Sequence, residues 1–458
     1  MAVEEIALVK MASKLFRASA RSMQCQLRNS TFLKNTNILS CTLCTGNGKT
    51  KNISKNHIQR NSKNRNDLLS RNTVKFLSNQ NSDIASNETT GMENITSAYN
   101  DHLKRDKMVD KNSIDDKVRT GDFFERILSR FPLRNRSFSF AYGSGVFHQV
   151  GHSPPKGNMT DIILAVNDPL EWHQENIERN PSDYAGLMRV SGARVVTEMQ
   201  CKWGSRLYFN TLIPFEDGKI KYGVISRSDL ITDLLDWENL YSAGRLQKPV
   251  KILERPTKKD DPDLQLALRM NLASSIHTAL LLLPDRFSEE KFYNTIAGLS
   301  YAGDFRMFVG GEDKNKVSNI VQANIPHFRT LYAKQLQNMS QFVNFSPDLS
   351  EVEQDVSPAG RHHHLTMLPK NLQGWLVSVW NEDGRYRDVE DVLRAAAFER
   401  DSGDLLSNCL QKVVWTPSIT QALKGLITAG ISKSVVYGVA KLKKGLKSKQ
   451  IATSSDVS

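Results

Sequence analysis

The chain has 458 residues, 39% hydrophobic and 24% charged, room for two or three domains with a packed core in part of the length. A formal charge of +12 and a pI near 9.3 favour polyanionic partners: nucleic acid, anionic lipid or nucleotide phosphates. No run of eighteen apolar residues exists, so no transmembrane helix is expected and membrane contact would be peripheral.

Residues 1–118 do not read as a domain. Between Lys10 and Lys75 there are fourteen Lys or Arg and one acid, Asp67. Basic, Ser-rich, acid-poor composition is that of a mitochondrial targeting segment, with 76–118 as a polar linker. Met11 opens a better presequence than Met1, whose neighbours include Glu4 and Glu5. A basic disordered tail is the plainer alternative. Cys41-Thr-Leu-Cys44 has no second pair at zinc spacing and reads as two free thiols. Five cysteines without a framework fit a reducing compartment.

From Thr120 the texture changes. Phe123, Phe124, Ile127, Leu128 and Phe131 fall at helical spacing, and Pro132 ends the run. Phe138–Tyr142 reads as a buried strand breaking into Gly143-Ser144-Gly145, a tight turn and helix start. Glycines allow close backbone approach to a phosphate, and a helix N-terminus favours an anion. Met159–Val166 is the second strand. Asp161, Ile163 and Ala165 share one face, and Thr160, Ile162, Leu164 and Val166 the other. An acid on an otherwise apolar strand is costly unless it is paired or binds metal. Asp168-Pro169 opens a helix as N-cap and N1. Leu207–Pro214 and Ile220–Ser226 are strands joined at Glu216-Asp-Gly218, and Ser228-Asp229 starts a helix ending near Trp237.

Beyond a charged linker, Asp261-Pro262 caps a long helix that Pro284 stops. Further helical segments are expected near 288–301 and 313–342. Arg361-His362-His363-His364 reads as a surface loop, since consecutive histidines do not share a face and no partner ligands stand at set spacing. No acid occurs between Leu405 and Ser455. At 100° per residue Ile431, Val435, Val439, Leu442 and Leu446 form a stripe opposite Lys433, Lys443, Lys444 and Lys447. That is either a membrane-surface helix for anionic lipid or a helix docked on the protein's own core.

Tyr142-Gly-Ser-Gly-Val-Phe147, Met159-Thr-Asp161, Asp168-Pro-Leu-Glu-Trp-His173, Lys221-Tyr-Gly-Val-Ile225 and Tyr241-Ser-Ala-Gly-Arg-Leu-Gln-Lys-Pro249 stand in this order. With Gly303-Asp-Phe-Arg306, Glu312-Asp-Lys-Asn-Lys316 and Lys424-Gly-Leu-Ile-Thr-Ala-Gly430, they resemble the mitochondrial phosphatidate cytidylyltransferase family, also called the mitochondrial translocator assembly and maintenance proteins. The resemblance covers about Phe123 to Lys447. It implies an α+β architecture: a nucleotidyltransferase domain over 119–258, a mostly helical, winged-helix-like domain over 259–404, and a basic amphipathic membrane-binding tail over 405–458. It also implies CTP and phosphatidate as substrates and Mg²⁺, or another divalent metal, as cofactor. The setting it implies is peripheral, on the matrix side of the mitochondrial inner membrane, making CDP-diacylglycerol for cardiolipin. No nucleic-acid partner is expected.

Tyr142, Gly143, Ser144 and Gly145 are the candidates for the nucleotide, Asp161 for the metal, and Lys221 for phosphate neutralisation. Asp168 is a second carboxylate or only a helix cap. Arg306, Lys314 and Lys316 would hold the phosphatidate head group or form a salt-bridged surface. Nucleotidyltransferases of this plan usually carry two acids one residue apart, yet Met159 and Ile163 occupy both partner positions. The second acid would come from Asp168 or from another strand, such as Glu198. Two rival readings remain: a non-enzymatic translocase assembly factor, and a nucleotidyltransferase acting on RNA, although no RNA module is recognisable.

Overall fold

The computed structural model describes residues 122–147, 159–256, 261–308, 315–345, 351–399 and 401–429. The targeting segment, Lys314 and the amphipathic stripe 431–447 lie outside the described residues.

A five-stranded mixed sheet positions the site. Its strands are β1 (Arg136–Tyr142), β2 (Met159–Val166), β3 (Tyr208–Phe215), β4 (Gly218–Ser226) and β5 (Lys251–Glu254), in the order β3-β4-β2-β1-β5. Only β2 and β4 run parallel; β1 is antiparallel to both β2 and β5, and β3 to β4. The alternation in β2 partitions two cores. Ile163 and Ala165 join Phe138, Phe140, Phe209 and Ile225 in one, while Ile162, Leu164 and Val166 join Tyr222 and Val224 in the other. The second core is closed by α1 (122–129), through Phe124 and Ile127, and by Trp172 of α2 (Pro169–Arg179). Asp168 caps α2, and Pro169 sits where a missing N–H costs nothing. The connection from α2 to the hairpin is α3 (Gly186–Lys202). After β4, Ser226 rather than Ser228 caps α4 (Arg227–Asp236), accepting from the Asp229 N–H.

The first core continues into the helical part. After the short α5 (Ala243–Leu246), Asp261 caps α6 (Pro262–Leu282), accepting from the Leu264 N–H. There follow β6 (Arg286–Phe287), α7 (Glu289–Gly298), α8 (Phe305–Phe308), α9 (Lys316–Gln337), β7 (Val343–Asn344) and β8 (Val352–Gln354). Pro326 lies within α9, whose helical dihedrals break at Asn324. β6, β8 and β7 form a small antiparallel sheet. Last come α10 (Pro358–Thr366), α11 (Lys370–Trp380), α12 (Val389–Phe398) and α13 (Ser402–Ala429). Leu264, Leu365, Leu372, Leu393 and Leu410 share one core with Phe140 and Ile163 of the sheet.

Two expectations are corrected here. Arg361–His364 is not a surface loop: it lies in α10, capped by Ser357, and His364 is buried. The stretch beginning at 405 is not all membrane tail either. Leu406, Cys409, Leu410 and Val413 of α13 are core, and the Lys424 ammonium is buried, donating to the carbonyls of Gln200 (3.2 Å) and Trp203 (2.8 Å). The acid-free composition of this stretch reflects docking on the protein's own interior as far as Ala429. Among the described residues no helix is long and apolar enough to cross a membrane.

Candidate active site

Strand register builds the site. Tyr142 pairs with Asp161, and Asp161 pairs with Lys221, so three adjoining strands carry the three side chains in one row on one face. That face is the one occupied further along by Phe140, Ile163 and Ile225, toward the helical part. The Lys221 ammonium lies 3.1 Å from Asp161 Oδ1, and each side chain keeps about a fifth of its surface exposed (19% and 21%). Lys221 also stands over the Phe209 ring, 4.6 Å from its centroid. The pair is therefore reachable from solvent yet backed by apolar surface.

The Gly-Ser turn closes over this row. The Gly143 carbonyl accepts from the N–H groups of Val146 and Phe147, both at 3.0 Å, so residues 143–147 make a hydrogen-bonded turn rather than the expected helix start. Gly143 has φ +83°, and a Cβ there would face Asp161 Oδ2 at 3.5 Å. A Cβ on Gly145 would meet the Met159 carbonyl oxygen at 2.8 Å. The turn thus packs its backbone onto the start of β2. Ser144 is half-buried within it, and Phe147 meets His327 of α9 edge-on at 5.6 Å.

Opposite the row stands a cationic wall in which Arg306 and Lys316, candidates from the sequence, are joined by Arg245 and Lys248, which sequence reasoning did not assign. The guanidinium of Arg245 stacks over Tyr241 at 3.8 Å, lies 5.1 Å from the Tyr142 ring, and donates to the Tyr241 carbonyl at 2.6 Å. Burial by itself would raise the Tyr241 hydroxyl pKa, but Arg245, Arg306 and Lys221 outweigh it and draw it below the ordinary value. Three cations therefore bear on one hydroxyl. Burial, reinforced by Arg245 and Lys316, pushes Lys248 down to about 7. Lys248 and Lys316 both lie against Tyr301, at 5.3 and 5.6 Å. Arg306 is oriented by Asp304, whose carboxylate accepts from its Nε (3.0 Å) and Nη2 (2.6 Å).

This wall is held by buried polar groups. Asp233, nine residues before Ser242, accepts from the N–H groups of Asn239, Ser242 and Ala243 at 2.8–3.0 Å. Asn271 of α6 accepts from Trp237 Nε1 and donates to the Ala243 carbonyl, both at 3.0 Å. Tyr332 of α9 donates to the Gln247 carbonyl at 2.8 Å. The signal available in the sequence was the density of Tyr241, Arg245 and Lys248 within Tyr241–Pro249, which no periodicity marks.

The structure thus brings together Tyr142, Gly143, Gly145, Asp161 and Lys221, with Arg306 and Lys316 on the cationic side. Asp168 is not among them. β2 runs extended from Asp161 to Val166, ~17 Å at the usual rise, and Asp168 lies beyond its other end. Its carboxylate is used by the Leu170 and Glu171 N–H groups at 2.9 and 3.1 Å. Glu198 is not on a strand; it lies on α3, paired with Lys202. Trp172 and His173 are interior. Burial pushes His173 down to about 4, so the neutral ring bridges Tyr184 and Gln200, each at 2.8 Å. Among the described residues no cluster of three metal-ligating groups includes Asp161. Asp161 is the carboxylate that this row offers a divalent cation; Mg²⁺ is commonly bound through one or two carboxylates together with substrate phosphates.

A carboxylate and a lysine beneath a glycine turn, facing several cations, could take phosphate-bearing ligands. The chain is similar to known proteins over most of its length. The family model described as "Phosphatidate cytidylyltransferase, mitochondrial" matches residues 124–444. Proteins of that name from Bos taurus and Xenopus laevis are 47% and 46% identical over 326 and 331 residues, covering 71% and 72% of this chain and 95% and 96% of theirs. The one from Drosophila melanogaster is 40% identical over 343 residues, 70% of this chain and 98% of its own. Every strand of the sheet and every cation of the wall falls inside the matched span, and the chain belongs to the mitochondrial phosphatidate cytidylyltransferase family.

Proposed function

We propose that this chain transfers the cytidylyl group of CTP to phosphatidate, giving CDP-diacylglycerol and pyrophosphate. The observation that carries the reading is the Tyr142–Asp161–Lys221 row facing Arg245 and Arg306. A phosphatidate phosphate oxygen attacks the α-phosphorus of CTP, a new P–O bond forms, and the bond to the leaving pyrophosphate breaks. Both reactants are anions, so the chain's task is to hold them together and neutralise them. Gly143 and Gly145 shape the turn on which the triphosphate rests, with Tyr142 beside it. Lys221 lies where charge accumulates on the transferring phosphoryl group. Arg245 and Arg306, with Lys248 and Lys316, form the side suited to the phosphatidate head group. A Mg²⁺ ion at Asp161 would supply electrophilic charge to the triphosphate.

The mixed sheet with its glycine turn and strand carboxylate supports a nucleotidyltransferase reading of the first part. The β6–β8–β7 sheet beside α6–α10 supports a winged-helix-like reading of the second. Relatives named mitochondrial support placement there. Peripheral attachment to the matrix face of the inner membrane, through the basic stripe after Ala429, and supply of CDP-diacylglycerol for cardiolipin complete the proposal.

The test is conversion of labelled CTP to CDP-diacylglycerol on phosphatidate liposomes with Mg²⁺. Product is expected from the parent, with Asp161→Asn at least ~100-fold slower, the scale of losing one preorganised electrostatic group. A variant ending at Ala429 should keep activity on detergent-dispersed phosphatidate and lose it on liposomes. Turnover of RNA instead of lipid, or no turnover with Asp161→Asn harmless in cells, would replace this reading by the RNA or assembly-factor one.

A further inference from the structure

Three histidines from two helices converge in the helical part, away from the row on β1, β2 and β4. His277 comes from α6, and His363 and His364 from α10. One ring nitrogen from each lies within 4.8 Å of the other two. His277 Nδ1 and His364 Nδ1 are 2.9 Å apart. The ring centroids are separated by 5.1 to 5.6 Å, and His363 is braced by stacking on Phe342 at 4.3 Å. Neighbours one apart on a helix diverge by about 100°. Their rings meet here because the third ligand arrives from α6, 87 residues away in sequence.

Two further observations point to a ligand. His364 is 1% exposed, and its Nε2 has no hydrogen-bond partner among the described residues. The His277–His364 bond uses only Nδ1 of that ring, so whichever tautomer it adopts, a polar nitrogen stays buried and unanswered. A cavity of about 370 Å³ reaches His364 past Gln354, Asp355, Arg361 and Asp404, giving an entry path and room for water.

We propose that His277, His363 and His364 form a binding site for a borderline transition-metal cation, Zn²⁺ by class, that staples α6 to α10. Imidazole suits Zn²⁺ and its neighbours rather than Mg²⁺. Tetrahedral Zn²⁺ with Zn–N of ~2.0–2.1 Å sets its ligand atoms ~3.4 Å apart, so the three ring nitrogens, within 4.8 Å of one another, draw together on binding. Three histidines leave the fourth position to a water from the cavity.

The experiment uses the full chain, purified without a histidine tag, stripped with chelator and titrated with Co²⁺ while the visible spectrum is followed. One equivalent of Co²⁺ should produce ligand-field bands without a thiolate charge-transfer band, and Zn²⁺ should displace it. His363→Gln, at the half-exposed and most forgiving position, should weaken binding at least tenfold, whereas Asp161→Asn should bind as the parent does. Zn²⁺ should raise the parent's unfolding temperature and leave His363→Gln unmoved. A parent chain that takes up no Co²⁺ overturns the proposal, leaving a hydrogen-bonded pair of core histidines. A thiolate band, which would place the metal at Cys41 and Cys44, or binding unchanged in His363→Gln, overturns it too.

Discussion

Gly143 and Gly145 lie two residues apart, and the structure predicts that alanine affects them unequally. At Gly143 the backbone is left-handed (φ +83°), and an added Cβ meets Asp161 Oδ2 at 3.5 Å, an ordinary contact. The left-handed cost for alanine is ~1–2 kcal/mol. Loss of unfolded-state freedom returns ~0.4–1 kcal/mol. The net is about 1 kcal/mol, a fall in unfolding temperature of a few degrees at most. At Gly145 the new Cβ lies 2.8 Å from the Met159 carbonyl oxygen and 3.1 Å from Thr160 Cα, both backbone atoms of β2. Neither can swing aside, so the turn or the strand start must move, at an overpacking cost of ~1–3 kcal/mol. That displacement falls two residues from Asp161. An ångström of misplacement at a reacting centre costs ~100-fold in rate. Gly145→Ala should therefore lower CDP-diacylglycerol formation ~100-fold, and Gly143→Ala less than ~10-fold, with thermal unfolding measured beside each assay. If Gly145→Ala turned over within threefold of the parent, or Gly143→Ala proved the worse, the turn's close packing on β2 would not be what sets the site.

Arg245→Lys should raise KM for phosphatidate up to ~10-fold while leaving the fold intact, because a stacked cation is worth ~0.5–2 kcal/mol and lysine cannot reproduce the planar contact with Tyr241. Lys248, pushed down to about 7, is charged below that pH and neutral above it. KM for the anionic substrate should therefore rise as pH increases from 6.5 to 8, and Lys248→Arg should flatten the profile. His173 has a folded pKa of about 4 against 6.5 for a free imidazole. Its contribution to stability is complete above pH 6.5 and is lost as pH falls through 4, up to ~3 kcal/mol at 1.36 kcal/mol per unit. Urea titrations from pH 7 to 4 should show a shallower decline in His173→Gln than in the parent, and identical slopes would refute the assignment.

Local chemistry was the legible part of this sequence. The alternation in Met159–Val166 placed Asp161 on the correct face, the Glu216-Asp-Gly218 turn marked its hairpin, and the Asp168-Pro169 and Asp261-Pro262 pairs marked two helix starts. What escaped is what long-range packing makes. Asp161 and Lys221 are 60 positions apart and meet only because β2 and β4 lie parallel. The Arg245 side of the cationic wall hangs on a four-residue helix too short to show a period, fixed by Asp233 and Asn271. Arg361–His364 read as a loop because its polar letters hide a Ser357 cap and because its third partner, His277, stands on a different helix. The start of the tail read as membrane-seeking because the absence of acids fits an interior helix equally well.

The core that joins Phe140 and Ile163 to Leu264, Leu372, Leu393 and Leu410 ties the sheet to the helices, and it predicts that they fold as one unit. Cutting the chain in the linker before Asp261 would strip one face of the sheet and leave leucines of four helices in water. Neither fragment should be soluble alone, and calorimetry should record a single melting transition with no separate sheet phase. Engineers seeking to transplant the sheet half into another protein would have to carry the helical half with it. A mutation buried beneath α11 can then impair CTP use by loosening a wall it never touches.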